Sequence, residues 1–228
     1  MEDKAHKHVA NGNCRDINIA VLGARNVGKS AMIVRFLTGR FIGDYDPHMD
    51  AIFDTHIPVD GKHFTAHIMD TAQAQDCTTT CDSEFKEDPV SWADGFLLVF
   101  SLTDRDSFTV VREMVSWLRT VREDERVPIL VAGNKNDLVH LRSVTRPDCE
   151  TWATEQGILF HEVSASEDSA SVQRAFISLC RHVRALCKKR EKLSWTLQRP
   201  AVAAKLQIRQ SLKNLAEKKI WRTRTSTF

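Results

Sequence analysis

Residues 23 to 30 read Gly23-Ala24-Arg25-Asn26-Val27-Gly28-Lys29-Ser30, and no other stretch restricts the fold of this chain as strongly. The run fits G-x-x-x-x-G-K-[ST], in which successive backbone N–H groups wrap a phosphate at the N-terminus of a helix. It needs a strand before it and a helix after it. Ile17 to Leu22 is a β-rich run that closes on Gly23, and from Ser30 to Leu37 the residues Met32, Ile33, Phe36 and Leu37 recur at helical spacing. In that setting Lys29 reaches the β- and γ-phosphate oxygens, and the Ser30 hydroxyl ligates Mg²⁺. Gly23 through Ala31 then line the phosphates. The loop alone implies a nucleoside triphosphate without saying which.

Beyond the loop, strands and helices alternate, which predicts an α/β fold of the P-loop NTPase type: a doubly wound, mostly parallel sheet of six strands with about five helices. Phe53 to Val59 and Phe64 to Met69 flank Asp60-Gly61, a two-residue hairpin signal that supplies one antiparallel pair at the sheet edge. Phe96 to Phe100 and Ile129 to Ala132 are near-continuous apolar runs, as strands covered on both faces require. Ser107 to Arg122 predicts an amphipathic helix with Phe108, Val111, Val115 and Leu118 on one side. Ile158 to Val163 is a sixth strand, and Val172 to Cys187 a final helix with Val172, Phe176, Leu179 and Val183 inward.

Two segments just past later strands address the base. Asn134-Lys135-Asn136-Asp137 reads N-K-x-D. The Asp137 carboxylate accepts from the ring N–H and the exocyclic amine of guanine, Asn134 buttresses the loop, and the Lys135 stem covers the ring. Adenine presents the wrong edge. Ser164-Ala165-Ser166 supplies the Ala165 N–H for the guanine carbonyl. Each segment alone is ordinary loop chemistry. Three in order, each at the C-terminal end of a strand where such sheets bind ligands, imply guanine nucleotide.

The 228 residues, 42% of them apolar, suffice for one sizeable core. No apolar run is long enough to span a bilayer, and Met-Glu-Asp-Lys opens neither a signal peptide nor a myristoylation site. The six cysteines show no staple spacing and are expected to be free thiols in a reducing compartment. The expected location is cytoplasmic, with the nucleus as a second site. From Lys188 to Phe228 there are 12 Lys/Arg and 2 Asp/Glu, so that within a total charge of +2 the first 187 residues carry −8. The expected organisation is a flexible extension (1–13), a globular domain (14–190) and a basic tail (191–228), partly helical or disordered. In the tail Ile208, Leu212 and Leu215 fall at helical spacing beside Lys205, Arg209 and Lys213. A solvated tail, a docking element for a protein or anionic membrane, and a nuclear-targeting or RNA-binding segment all fit that composition. Thr225-Ser226-Thr227-Phe228 contains no cysteine, so no prenyl anchor is expected. Cys77 and Cys81 with His63 or His67 form an incomplete zinc set.

Over about residues 16 to 187 the chain resembles the Ras superfamily. Val-Arg-Phe-Leu-Thr from Val34, Arg-Phe-Ile-Gly-Asp-Tyr-Asp-Pro from Arg40 and Trp-Ala-Asp-Gly-Phe-Leu-Leu-Val from Trp92 are most similar to its unprenylated Ras-like branch, which includes the estrogen-regulated growth inhibitor. The resemblance implies a monomeric GTPase switch with Mg²⁺, whose loops are ordered by GTP and released by hydrolysis. It places Phe41 at the guanine edge, Asp70 in a water-mediated contact with Mg²⁺, and effector or regulator contacts at residues 41–55 and 70–90. It also exposes departures. His48 stands where the family has the threonine that ligates Mg²⁺, and imidazole suits a hard cation poorly. Asp-x-x-Gly-Gln appears as Asp70-Thr71-Ala72-Gln73-Ala74, so Gln73 replaces the glycine that senses the γ-phosphate and Ala74 the glutamine that orients water. Arg25 replaces a glycine; it either crowds the approach of an activator's arginine or points to solvent. Hydrolysis is therefore expected to be slow. A slow switch and a guanine-nucleotide-stabilised binding module that does not hydrolyse are the two function classes, with an ATP-using kinase opposed by N-K-x-D.

Overall fold

A computed structural model of the chain describes residues 16–42, 52–71, 88–122, 127–190 and 192. The chain divides after Ala185 into two units, and the architecture that follows is that of the first. Strands β1 (Asp16–Leu22), β2 (Ile52–Val59), β3 (Lys62–Asp70), β4 (Gly95–Ser101), β5 (Ile129–Asn134) and β6 (Leu159–Glu162) form one sheet in the order β2-β3-β1-β4-β5-β6. All neighbours are parallel except β2 with β3. That pair is the hairpin predicted from Asp60-Gly61: both turn residues have positive φ, 51° and 73°, and Val59 faces Lys62 across the turn.

Helices α1 (Lys29–Thr38), α2 (Pro89–Trp92), α3 (Arg105–Val121) and α4 (Arg146–Gln156) join the strands, with a 3-10 turn at Val139–Leu141. A fifth, α5, is helical over 169–185 within this unit. β4 and β5 are buried along their whole length, as expected of strands covered on both faces. On one face Ala20, Leu22, Phe96, Leu98 and Phe100 pack with Phe108, Val111, Val115 and Leu118 of α3 and Cys149, Trp152 and Ala153 of α4. On the other, Phe36 of α1 stacks on Phe176 of α5 with ring centroids 4.2 Å apart, and Leu179 and Val183 lie over Gly95. The four α5 residues expected to point inward are all buried.

The sequence reading did not single out α4. Its buried apolar residues, Cys149, Trp152 and Ala153, keep helical spacing but cover little more than one turn. Its start was nonetheless encoded: the Thr145 hydroxyl accepts from the Asp148 N–H at 3.4 Å, and Pro147 occupies the first turn.

The chain crosses from β1 toward β2 on one side of the sheet and from β4 toward β5 on the other. The crossover direction thus reverses between β1 and β4, and there the C-terminal ends of the strands open a crevice. Gly23 follows β1, Asp70 ends β3, Asn134 ends β5, and Ser164 lies two residues past β6.

Candidate functional site

The loop from Gly23 to Gly28 is shaped by two glycines that no other residue replaces without strain. Gly23 has φ 148° and Gly28 φ 95°; a Cβ on the first would run into the Val99 carbonyl, and on the second into the Asn134 side-chain amide. The backbone thus turns tightly against β4 and β5 and leads directly into the first turn of α1. Lys29, 6% exposed, bends back over this loop, its Nζ donating to Gly23 O at 2.9 Å and Ala24 O at 2.8 Å. Burial holds its pKa below the ordinary lysine value, the Asp70 carboxylate opposes that shift, and the exposed Arg25 adds to it. Asp70 is fully buried and pairs in register with Val21 of β1, while the Thr71 hydroxyl donates to Val21 O at 2.7 Å. Ser30 is partly buried in the first turn of α1.

Asn134 joins two of the three loops to each other. Its Nδ2 donates to Val27 O at 2.9 Å, and its Oδ1 accepts from the Ala165 N–H at 3.1 Å. The residue expected to buttress the loop therefore ties the phosphate loop to the 164–166 segment. Lys135, at φ 66°, spans the same gap on the surface, its Nζ donating to Asn26 O at 2.8 Å. Asp137 Oδ1 accepts from the Ser164 hydroxyl at 2.7 Å, and that hydroxyl lies 3.0 Å from Ser166 Oγ. The Ala165 N–H, assigned from sequence to a base carbonyl, thus already has an acceptor in Asn134. Sequence reasoning missed the partners Val27 O and Asn26 O because backbone carbonyls carry no side-chain signature.

Phe41 is 48% exposed, and Ile42 and Ile52 are comparably open. His48, Gln73, Ala74, Cys77 and Cys81 lie outside the described residues, as does most of 41–55 and 70–90. His67, considered for zinc, pairs with Asp54 through Nδ1 and Oδ1 at 2.6 Å, and no group of three metal-binding side chains occurs among the described residues.

The family model for the Ras family matches residues 18–185. This chain belongs to the Ras family. It is 44% identical over 172 residues to human Ras-like protein family member 11A, covering 74% of this chain and 71% of that protein. With Ras-like protein family member 11B of Xenopus tropicalis it shares 36% identity over 180 residues, 78% of this chain and 73% of the relative. The bovine Ras-related and estrogen-regulated growth inhibitor is 36% identical over 169 residues, 74% of this chain and 82% of its own length. Ras-family membership makes this a small GTP-binding signalling protein.

The site suits the groups that the family implies. The turn that Gly23 and Gly28 make possible leads into the N-terminus of α1, where backbone N–H groups suit an anion, Lys29 lies over that turn as a cation, and Ser30 and Asp70 offer the oxygen donors a hard divalent ion requires.

Proposed function

We propose that this chain binds GTP and GDP with Mg²⁺ through these loops and acts as a nucleotide-dependent signalling switch with slow hydrolysis. The observation that carries the reading is the Asn134 side chain, bonded to Val27 and Ala165, which gathers phosphate-binding and base-binding segments into one crevice. Residues 23 to 31 take the phosphates, with Lys29 exchanging its loop carbonyls for β- and γ-oxygens. Ser30 and Asp70 hold Mg²⁺, with a weak or backbone-only contribution from His48. Bound there, Mg²⁺ would supply positive charge beside the phosphates. Asp137 accepts from the guanine N–H groups with the oxygen that Ser164 leaves free, the Ala165 amide turns to the base carbonyl, Ser166 steadies Ser164, and Lys135 and Phe41 flank the ring.

Turnover is where the chain departs from the family's motif pattern. Phosphoryl transfer in this class depends on positioning the water and on stabilising charge, and removing one preorganised element commonly costs on the order of 10²-fold. Gln73 and Ala74 stand at the γ-phosphate-sensing and water-orienting positions. Ras without an activator turns over at about 10⁻⁴ per second, and this chain is expected to be no faster. The same two residues favour a second reading, a guanine-nucleotide-stabilised binding module that does not hydrolyse. Effectors or regulators dock at 41–55 and 70–90, the protein acts as a monomer, and it resides in the cytoplasm with the basic tail as a route to anionic membrane, nucleic acid or the nucleus.

Single-turnover hydrolysis of pre-bound GTP separates the two readings. Measurable hydrolysis at or below the intrinsic Ras rate, raised by the double change Gln73→Gly with Ala74→Gln, supports the slow switch. No hydrolysis in either protein supports the binding module, and a wild-type rate above that of Ras overturns the impaired-site reading.

A further inference from the structure

The guanidinium of Arg142 touches three segments at once. Its Nε donates to Val144 O at 2.9 Å, its Nη1 to Asn136 Oδ1 at 3.2 Å, and its Nη2 to Glu162 Oε1. Asn136 is the variable residue of N-K-x-D, between Lys135 and Asp137. Glu162 ends β6, two residues before Ser164. The Glu162 side chain is 8% exposed and that of Arg142 25%, so the pair is shielded from the solvent that makes most surface ion pairs worth little. A rigid planar fork serves several fixed acceptors together, which a lysine ammonium on a flexible stem does not. Beside it the Asn136 N–H donates to Val163 O at 3.2 Å.

Asn134 joins the phosphate loop to the 164–166 segment through backbone groups. Arg142 makes a second connection, between the middle of the 134–137 loop and the strand end from which Ser164 departs. The Ser164 hydroxyl reaches Asp137 Oδ1 at 2.7 Å, a bond that exists only while these segments keep their spacing.

We infer that Arg142 is a positioning residue for base recognition: its bonds to Glu162 and Asn136 hold Asp137 in register with Ser164 and Ala165, so that carboxylate and amide address one guanine edge together. The inference rests on the guanine-nucleotide reading above. Arg142 acts through Asp137 and is not itself a base contact.

The test compares release of GDP with release of IDP, which lacks the exocyclic amine that Asp137 accepts from. It uses the full-length wild type, Arg142→Ala, Arg142→Lys and Asn136→Ala, with thermal unfolding of each. Wild type is expected to release GDP more slowly than IDP. Arg142→Ala should speed GDP release about tenfold or more, the loss of one charge-assisted bond, while IDP release, which keeps the ring N–H and the carbonyl but has no amine contact to lose, rises by a smaller factor, so the ratio between them narrows. Arg142→Lys should fall between, and Asn136→Ala should lower the ratio by a smaller factor at an unchanged melting temperature. Equal acceleration of both nucleotides in Arg142→Ala, or a wild-type ratio in Asn136→Ala, overturns the inference and leaves the pair a stabiliser of the fold. Should Arg142→Ala fail to fold, the ratios in Arg142→Lys and Asn136→Ala decide. Identical GDP and IDP release by the wild type is a separate outcome, which overturns the guanine reading and this inference with it.

Discussion

Replacing Asn134 by Ala strands two backbone groups, Val27 O and the Ala165 N–H, each of which now has the Asn134 side chain as its partner. A buried polar group left without a partner costs about 1–3 kcal/mol, so Asn134→Ala should lower unfolding stability by about 2 kcal/mol or more in a urea titration. An unchanged midpoint would contradict the bridge. Asp137 is a different case, since it is only partly buried and half engaged with Ser164. Asp137→Ala should leave the fold intact and remove the preference for GTP over ATP in thermal-shift measurements; GTP at about 1,000 times its Kd adds about 4 kcal/mol to the wild type. Two thiols carry a pH signature. Burial pushes Cys149 and Cys180 from 9.0 up to about 12. Their folded pKa values are raised, so the stability they contribute is intact below pH 9 and lost as pH rises toward 12, where the unfolded chain ionises first. Lys29 shifts downward and acts with the opposite sign below its ordinary value. The comparison of wild type with Cys149→Ala/Cys180→Ala therefore isolates the thiols: the double variant should lose less stability between pH 9 and 11. At neutral pH neither thiol should react with iodoacetamide in the native protein.

At the scale of elements, the anchor between α5 and the β2–β3 hairpin is concentrated in Arg184. This residue, 5% exposed, donates from Nη1 to Val59 O at 3.0 Å, lies 3.6 Å from Asp60 Oδ2 and sits 3.7 Å over the Phe64 ring. Arg181 adds a bond to Asp60 Oδ1 at 3.2 Å. The exposed Arg181 pair should be worth less than about 1 kcal/mol, whereas Arg184→Ala should cost about 2–3 kcal/mol through the lost carbonyl bond and cation–π contact. A double-mutant cycle of Arg184→Ala with Phe64→Leu checks the assignment, with a coupling of about 1 kcal/mol expected and additive effects excluding the ring contact. The hairpin carries the antiparallel edge of the sheet, so this anchor holds the strand that leads to Asp70.

Across the whole molecule, charge is divided between an acidic G domain and a tail, 191–228, with 9 Lys/Arg against 2 Asp/Glu. Deleting 191–228 should leave nucleotide binding unchanged and remove association with anionic vesicles or nucleic acid, an association expected to fall steeply between 50 and about 200 mM salt. A truncated chain that binds such surfaces as well as the full one would refute the tail as their contact; one that unfolds would refute the boundary. Sequence alone sufficed for the α/β class, the edge hairpin, the inward faces of α3 and α5 and the placement of three motif-bearing loops after strands. Each of these rests on local physics: period-2 and period-3.6 burial, a turn that needs positive φ, and motifs whose chemistry is written in consecutive residues. Helix α4 escaped because its three buried apolar residues, though at helical spacing, cover little more than one turn. What needed the folded chain was every relation between distant segments. Asn134 reaches Val27, Arg142 reaches Glu162, and Lys29 shares its burial with Asp70, because parallel strands bring their C-terminal ends to one edge of the sheet. No local rule states which backbone carbonyl will stand opposite a given side chain, since strand order and register are set by the packing of the whole core.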